Sequence, residues 1–300
     1  MTTILSIDAL TVRVPERDRT DRAAVANGGA QTGDLTLVDA VSMTIGAGER
    51  VALVGESGSG KSMTAKAIMR LDRSVQLSGS VRVGGTETIG LPEREMRRLR
   101  GATVSMVFQD PMTALNPVLT VGAQVAEPLV IRGVGRREAR RRAIEMLDHL
   151  GVPDAARRSR AYPNEFSGGM RQRVVLAAAL IAEPKLLIAD EPTTALDVRV
   201  QEQVLDLIEQ QSRERDLAVL LITHDLAIVA GFAQRVAVMY RGRLVEDRPV
   251  DDVFARPDHP YTRGLLGSIP RIDADPAERL STVADFLQAD AETAVPVAAS

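Results

Sequence analysis

The sequence has no cysteine, no tryptophan and only three lysines among its 300 residues. The absence of cysteine excludes disulfides, thiolate metal sites and cysteine-held iron–sulfur clusters, and it fits a reducing compartment. Long hydrophobic runs are missing too. The longest, Val174 to Ala182, is about half of what a membrane-spanning helix needs. The N-terminus, MTTILSIDALTVRV, lacks the basic start and apolar block of a signal peptide. Charge of one sign is not in excess: 37 basic and 40 acidic side chains leave a formal charge of −3. That balance does not favour general nucleic-acid binding. The scarcity of lysine beside 34 arginines reads as a bias of the source genome. Together these absences predict a cytosolic chain, whose work at a membrane would need other subunits to do the spanning.

What is present can bury one large core or two modest ones, with 45% hydrophobic residues. LSIDALTVRV and LTLVDAVSMTI alternate and read as strands, joined by a polar, Arg- and Gly-rich loop, PERDRTDRAAVANGGAQTGD. ERVALVGE is a short apolar strand, and MTAKAIMRL after it has helical spacing. GATVSMVFQDP is a further buried strand, ending at Gln109. From Pro111 to about Pro163 the pattern is helical, with Ile144, Leu147 and Leu150 along one side of the second helix. KLLIAD and LAVLLITHD are buried strands separated by the helix VRVQEQVLDLIEQQSRERD. AQRVAVMYRGRLVED predicts a closing hairpin with Arg241-Gly242 at its turn. Strands alternating with helices imply an α/β fold with a mainly parallel sheet and a helical block inserted in it. After Pro270, DPAERLSTVADFLQAD predicts one amphipathic helix, with Leu280, Val283 and Leu287 apolar, before a disordered tail.

GESGSGKS matches G-x-x-x-x-G-K-[ST] at Gly55, Gly60, Lys61 and Ser62, with an apolar strand before it and a helix after it. Glycines let the backbone wrap closely around phosphates, and the helix start offers free N–H groups and a positive dipole end. Lys61 would reach the β- and γ-phosphates and Ser62 would ligate magnesium. The cradle as a whole is Gly55, Glu56, Ser57, Gly58, Ser59, Gly60, Lys61 and Ser62, with Met63 next in line. KLLIADEP delivers Asp190 and Glu191 at the carboxyl end of a buried strand, where open α/β sheets bind ligands. Asp190 is expected to hold magnesium, through water, and Glu191 to orient or deprotonate an attacking water. Alone, such a pair is an ordinary solvated loop start; the phosphate loop gives it meaning.

FSGGMRQRVVLAAALI sets Ser167, Gly168 and Gly169 before a buried helix, more than a hundred residues after the first cradle. By itself this is a helix cap. Read with GESGSGKS, Gln109, LLIADEP, the ALD of Ala195 to Asp197 and His224 of LLITHD, all in this order, the chain resembles the ATP-binding subunits of ATP-binding-cassette (ABC) transporters over about residues 4 to 270. FSGGM in place of the commoner LSGGQ looks like the variant of the oligopeptide/dipeptide/nickel importers. The resemblance implies a P-loop NTPase with a RecA-like core, a β subdomain and an inserted α-helical subdomain. It implies a second ATPase subunit, identical or different, meeting this one head to tail. Each ATP then lies between the P-loop of one protomer and Ser167–Gly169 of the other. It gives Gln109 to magnesium or the attacking water, Asp197 to the dimer seam and His224 to the γ-phosphate and the catalytic water. It assigns DPMTALNPVLTVGAQVAEPL to contact with two membrane permease subunits, and a solute-binding protein outside the membrane as an indirect partner. The expected place is peripheral, on the cytosolic side of the cell membrane.

The resulting division is residues 1–110 for the β subdomain and the first part of the core, 111–180 for the helical subdomain, 181–255 for the second part of the core, and 256–300 for a C-terminal extension. HPYT, His259 to Thr262, marks that extension as the peptide/nickel type; it predicts a Pro-punctuated turn into a helix, with no catalytic part. The cysteine-rich iron–sulfur segment of many such importers is absent. Where the family places an aromatic against adenine this chain has Val14, with Arg13 or Arg17 as a substitute by guanidinium stacking. RREARRR, Arg136 to Arg142, reads as a solvated helix face more readily than as a lipid or nucleic-acid site. The cargo implied is di- or oligopeptides. Nickel or another small solute is the alternative within the same machine, and a soluble ABC ATPase of repair or translation the alternative outside it. A non-hydrolysing partner subunit is disfavoured by Lys61, Asp190, Glu191 and His224.

Overall fold

The computed structural model describes residues 2–15, 34–109, 114–193 and 197–268. Arg17, Ala195 and the expected helix after Pro270 lie outside them, as does nearly all of the polar connection before Asp34.

Two sheets divide the strands. β1 (Thr3–Val14), β2 (Leu35–Gly46), β4 (Gln76–Val83) and β5 (Thr86–Glu87) form an antiparallel sheet in the order β2-β1-β4-β5. β2 turns Val38, Val41, Met43 and Ile45 inward and leaves alternate residues wetter, as expected of a sheet with one covered face. The larger sheet runs β10-β9-β3-β8-β7-β6, from β3 (Arg50–Val54), β6 (Val104–Val107), β7 (Leu186–Asp190), β8 (Ala218–Thr223), β9 (Arg235–Tyr240) and β10 (Arg243–Pro249). All its pairs are parallel except the closing hairpin β9–β10. Tyr240 pairs with Arg243 there, so Arg241 and Gly242 make a two-residue turn, both with positive φ (47° and 82°).

β3, β7 and β8 are buried at every position, because helices or the second sheet cover both faces. Their side chains alternate between two cores. Val51 and Leu53 join Leu186, Ile188, Leu220 and Ile222 in the core shared with the antiparallel sheet and the helix Lys61–Ile68. Ala52 and Val54 join Leu187, Ala189, Val219 and Leu221 in the core shared with the helical segments Val121–Ile131, Arg136–His149 and Gly168–Leu180.

In the helix Arg136–His149 the buried face is Ala139, Ala143, Met146 and Leu147, with Leu150 at its end; Ile144 is half-buried. The expected line of Ile144, Leu147 and Leu150 packs against the core, and Ala139 and Ala143 widen the buried face. Two alanines let this helix approach its neighbours, a role that hydrophobic size does not advertise. On the outer face Arg141 pairs with Glu138 and Glu145, and Arg142 with Glu138. All five arginines of the basic run are exposed, a solvated helix face in which Arg141 and Arg142 are paired.

Candidate active site

The order β3-β8-β7-β6 brings four strand ends into one row. Because these strands are parallel, the phosphate loop after β3, His224 after β8, Asp190 and Glu191 at β7, and Gln109 just past β6 all emerge on the same edge. These residues are scattered over more than a hundred positions, and only the sheet unites them.

The loop's shape depends on glycines. Gly55 has φ 149°, and a Cβ there would come within 2.2 Å of the Met239 carbonyl oxygen. Gly60, at φ 108°, leaves no room against Leu37 O (2.8 Å). Gly58, at φ 82°, faces open space, which suits close approach by a ligand. Gly60 caps the helix Lys61–Ile68 and offers no side chain to its first-turn amides, which leaves them for an anion. Lys61 is 6% exposed. Its Nζ donates to Gly55 O at 2.7 Å and Glu56 O at 2.8 Å. Burial pushes its pKa down, and the carboxylates of Glu191, Asp190 and Glu56 oppose that shift.

Ser62 donates through Oγ to Asp190 Oδ1 at 3.0 Å. Burial, above all, and the nearby Glu191 raise the Asp190 pKa, against the Ser62 hydrogen bond and the lysines. Two hard oxygen donors side by side, in a carboxylate-rich pocket, fit Mg²⁺. Glu191 follows with φ 47°, a left-handed conformation unusual outside glycine, and its N–H donates to Ile222 O at 2.9 Å. The side chain is then held from two sides. Gln109 Nε2 donates to Glu191 Oε2 at 2.9 Å, and His224 Nδ1 lies 3.1 Å from Oε1. Gln109, Glu191 and His224 therefore meet, beside Lys61, Ser62 and Asp190.

Ser167, Gly168 and Gly169 belong to another element, at the start of the helix Gly168–Leu180. Ser167 and Gly168 are exposed, and the serine hydroxyl accepts the Met170 N–H at 3.4 Å. Gly169 lies against Val200; a Cβ there would meet Val200 Cγ1 at 2.4 Å. Asp197 caps the helix Val198–Arg215 through the Val200 N–H, at 3.0 Å. Val14 is 2% exposed and offers no surface to a base, while Arg13 is exposed. One contact went unforeseen: the Tyr261 hydroxyl accepts the Glu56 N–H, at 2.8 Å. Its signal was a rare aromatic within HPYT, in a chain with only three tyrosines.

A sequence-family profile described as ABC transporter matches residues 38–194, and one described as the oligopeptide/dipeptide transporter C-terminal region matches residues 245–291. The oligopeptide transport ATP-binding protein OppD of Salmonella typhimurium is 50% identical over 251 residues, spanning 83% of this chain and 75% of OppD. Among solved structures, the dimeric, post-hydrolysis ATP-binding cassette MJ0796 bound to ADP and Pi superposes with a TM-score of 0.69 at 28% identity, covering 82% of this chain and 99% of that one. The cbiO1 protein of Clostridium perfringens, part of the ABC transporter complex cbiONQ, shares the fold at TM-score 0.68 and 24% identity, over 85% of this chain and 92% of its own. A transporter-type C-terminal region removes the alternative of a soluble ATPase outside transport. The chain belongs to the ABC transporter family, as an ATP-binding subunit of the oligopeptide/dipeptide type.

Proposed function

We propose that the chain hydrolyses ATP to energise an importer of di- or oligopeptides, at a site completed by a second ATPase subunit. The observation that carries this reading is the hold on Glu191, between Gln109 at 2.9 Å and His224 at 3.1 Å, beside the phosphate loop. Lys61 and the free amides at the start of its helix bind the β- and γ-phosphates. Ser62, Asp190 and Gln109 would hold Mg²⁺, which when bound neutralises phosphate charge. Glu191 orients the attacking water and takes its proton, and His224 fixes the water and the γ-phosphate. Catalysis is positioning and charge neutralisation.

The bare Ser167–Gly169 helix start serves the partner's nucleotide, and Asp197 lies at the seam. Closure follows ATP binding, and loss of the γ-phosphate releases it. The dimeric state of the ADP-bound MJ0796 structure supports this arrangement. Residues 111–180 form the arm that meets two membrane permeases on the cytosolic face, with a solute-binding protein outside. Exposed Phe108, Val118, Leu119 and Ile131 support that contact, as does a cleft of about 990 Å³ lined by Leu115, Pro128 and Ile131. Among the described residues no helix is long and apolar enough to cross a membrane. Peptide cargo follows from the name of OppD and from the matched C-terminal region.

Glu191→Gln in the assembled transporter tests the site. Steady-state hydrolysis is expected to fall about 10²- to 10⁴-fold, while ATP binding persists and the ATPase pair stays closed. Near-normal turnover would remove Glu191 from its role.

A further inference from the structure

The phosphate loop is also gripped by the C-terminal extension. Tyr261 is completely buried, and its hydroxyl accepts the Glu56 N–H at 2.8 Å. Its ring stacks on Tyr240, with centroids 4.2 Å apart, so two of the chain's three tyrosines meet behind one loop. Tyr240 ends β9, directly before the turn whose Gly242 N–H donates to Ser59 O at 2.9 Å.

Polar contacts seat Tyr261 firmly. The buried carboxylate of Glu246 accepts the N–H groups of Asp258 (2.9 Å) and His259 (3.3 Å). His259 Nδ1 then accepts the Tyr261 N–H at 3.1 Å and caps the helix Pro260–Gly267. Burial, more than any neighbour, pushes the phenol pKa up to about 12, so the hydroxyl keeps its proton. A phenylalanine would fill the same space; the added oxygen finds a polar atom of the loop.

Glu56 is bonded at both ends. Its N–H goes to Tyr261 and its carbonyl accepts Lys61 Nζ at 2.8 Å. The peptide between Gly55 and Glu56 thus links the extension to the lysine: its carbonyl, from Gly55, accepts Lys61 Nζ at 2.7 Å while its N–H donates to Tyr261, and hydrogen bonds across one peptide unit reinforce one another. We infer that Tyr261 is a positioning residue for ATP binding: its hydroxyl fixes the Glu56 peptide, so that the Gly55 and Glu56 carbonyls present Lys61 to the incoming triphosphate. The extension then sets nucleotide affinity. The inference rests on Lys61 being a phosphate ligand.

Tyr261→Phe in the assembled transporter tests it, beside Thr262→Val and Lys61→Ala. Thr262 is buried on the same helix, and its hydroxyl has no hydrogen-bond partner among the described residues. Y261F is expected to raise the KM for ATP, and the Kd for ADP on the purified chain, by about five- to tenfold, with kcat within about twofold of wild type. T262V should match wild type in both. An unchanged KM in Y261F overturns the inference, as does a loss confined to kcat or an equal rise in T262V, which would mark a merely structural helix. Should Y261F melt early, its melting shift on adding ADP still reads loop affinity, and a wild-type shift overturns the inference. K61A separates the premise: if K61A binds ADP as wild type does, the site reading fails; if only Y261F is silent, the positioning role fails alone.

Discussion

At Gly55–Ser62 the phosphate loop is engaged from several parts of its own chain: Asp190 takes the Ser62 hydroxyl, Gly242 reaches Ser59 and Tyr261 reaches Glu56. At Ser167–Gly169 the serine caps its own helix at 3.4 Å and the first two residues are exposed. Both stretches are glycine-rich helix starts suited to an anion, yet one is furnished with acids, a buried lysine and a strained glutamate, and the other is bare. Ser167 already takes the Met170 and Arg171 amides, so in the proposed reading this helix start is no complete site by itself. The missing half, in that reading, is the furnished loop of a facing protomer, which accounts for two phosphate cradles so far apart in one chain.

Ser167→Ala is the strongest way to break that comparison. If the bare loop serves a partner's nucleotide, S167A leaves the ADP affinity of the single chain within about twofold, yet cuts turnover of the assembled transporter at least about tenfold. Equal losses in both assays would place Ser167 in its own chain's site. The lost cap also costs about 1 kcal/mol of helix stability, so melting curves must accompany the rates.

A sharper contrast concerns the furnished loop's own cost. Burial first, and Glu191 second, raise the Asp190 pKa above its ordinary 3.8, so the folded chain holds that proton more tightly than the unfolded chain. The stability gained from that preference is present below the unfolded pKa and is lost as pH rises through the folded one, leaving ionised Asp190 destabilising at neutral pH. Asp190→Asn should therefore melt about 1–3 °C higher than wild type at pH 7.5 without nucleotide, with the gain gone below about pH 4 and hydrolysis lost. A lower melting temperature at pH 7.5 would show that Asp190 costs the apo fold nothing.

The smallest expected effect concerns the base. Val14 is buried and offers no ring to adenine, so hydrolysis of GTP should stay within about threefold of that of ATP. A strong ATP preference would point to another adenine contact.

The sequence makes the local pieces legible. A phosphate loop, a strand ending in Asp190 and Glu191, and the Arg241-Gly242 turn are each written in neighbouring residues, because backbone geometry there is set by local chemistry. Their assembly is not written so. Gln109, Glu191 and His224 meet because β6, β7 and β8 lie side by side, and the phosphate loop joins them because β3 inserts between β8 and β9, a placement that chain order does not give. The Tyr261–Glu56 bond spans 205 positions and carries no periodicity. HPYT could be noticed as distinctive, but a tyrosine's partner depends on where a helix docks, which only packing decides. The alanine face of Arg136–His149 eluded the hydrophobic pattern for the same reason: small residues matter by what they allow to come near.

The two interleaved sides of β3 also bear on how the protein comes apart. Val51 and Leu53 face one interior, Ala52 and Val54 the other, on a ribbon five residues long. Neither interior can loosen without shifting the shared backbone, so the molecule should melt in a single cooperative step. The same ribbon leads straight into the phosphate loop, so a nucleotide seated there clamps both halves at once, and added ADP should move the entire melting curve upward without splitting it.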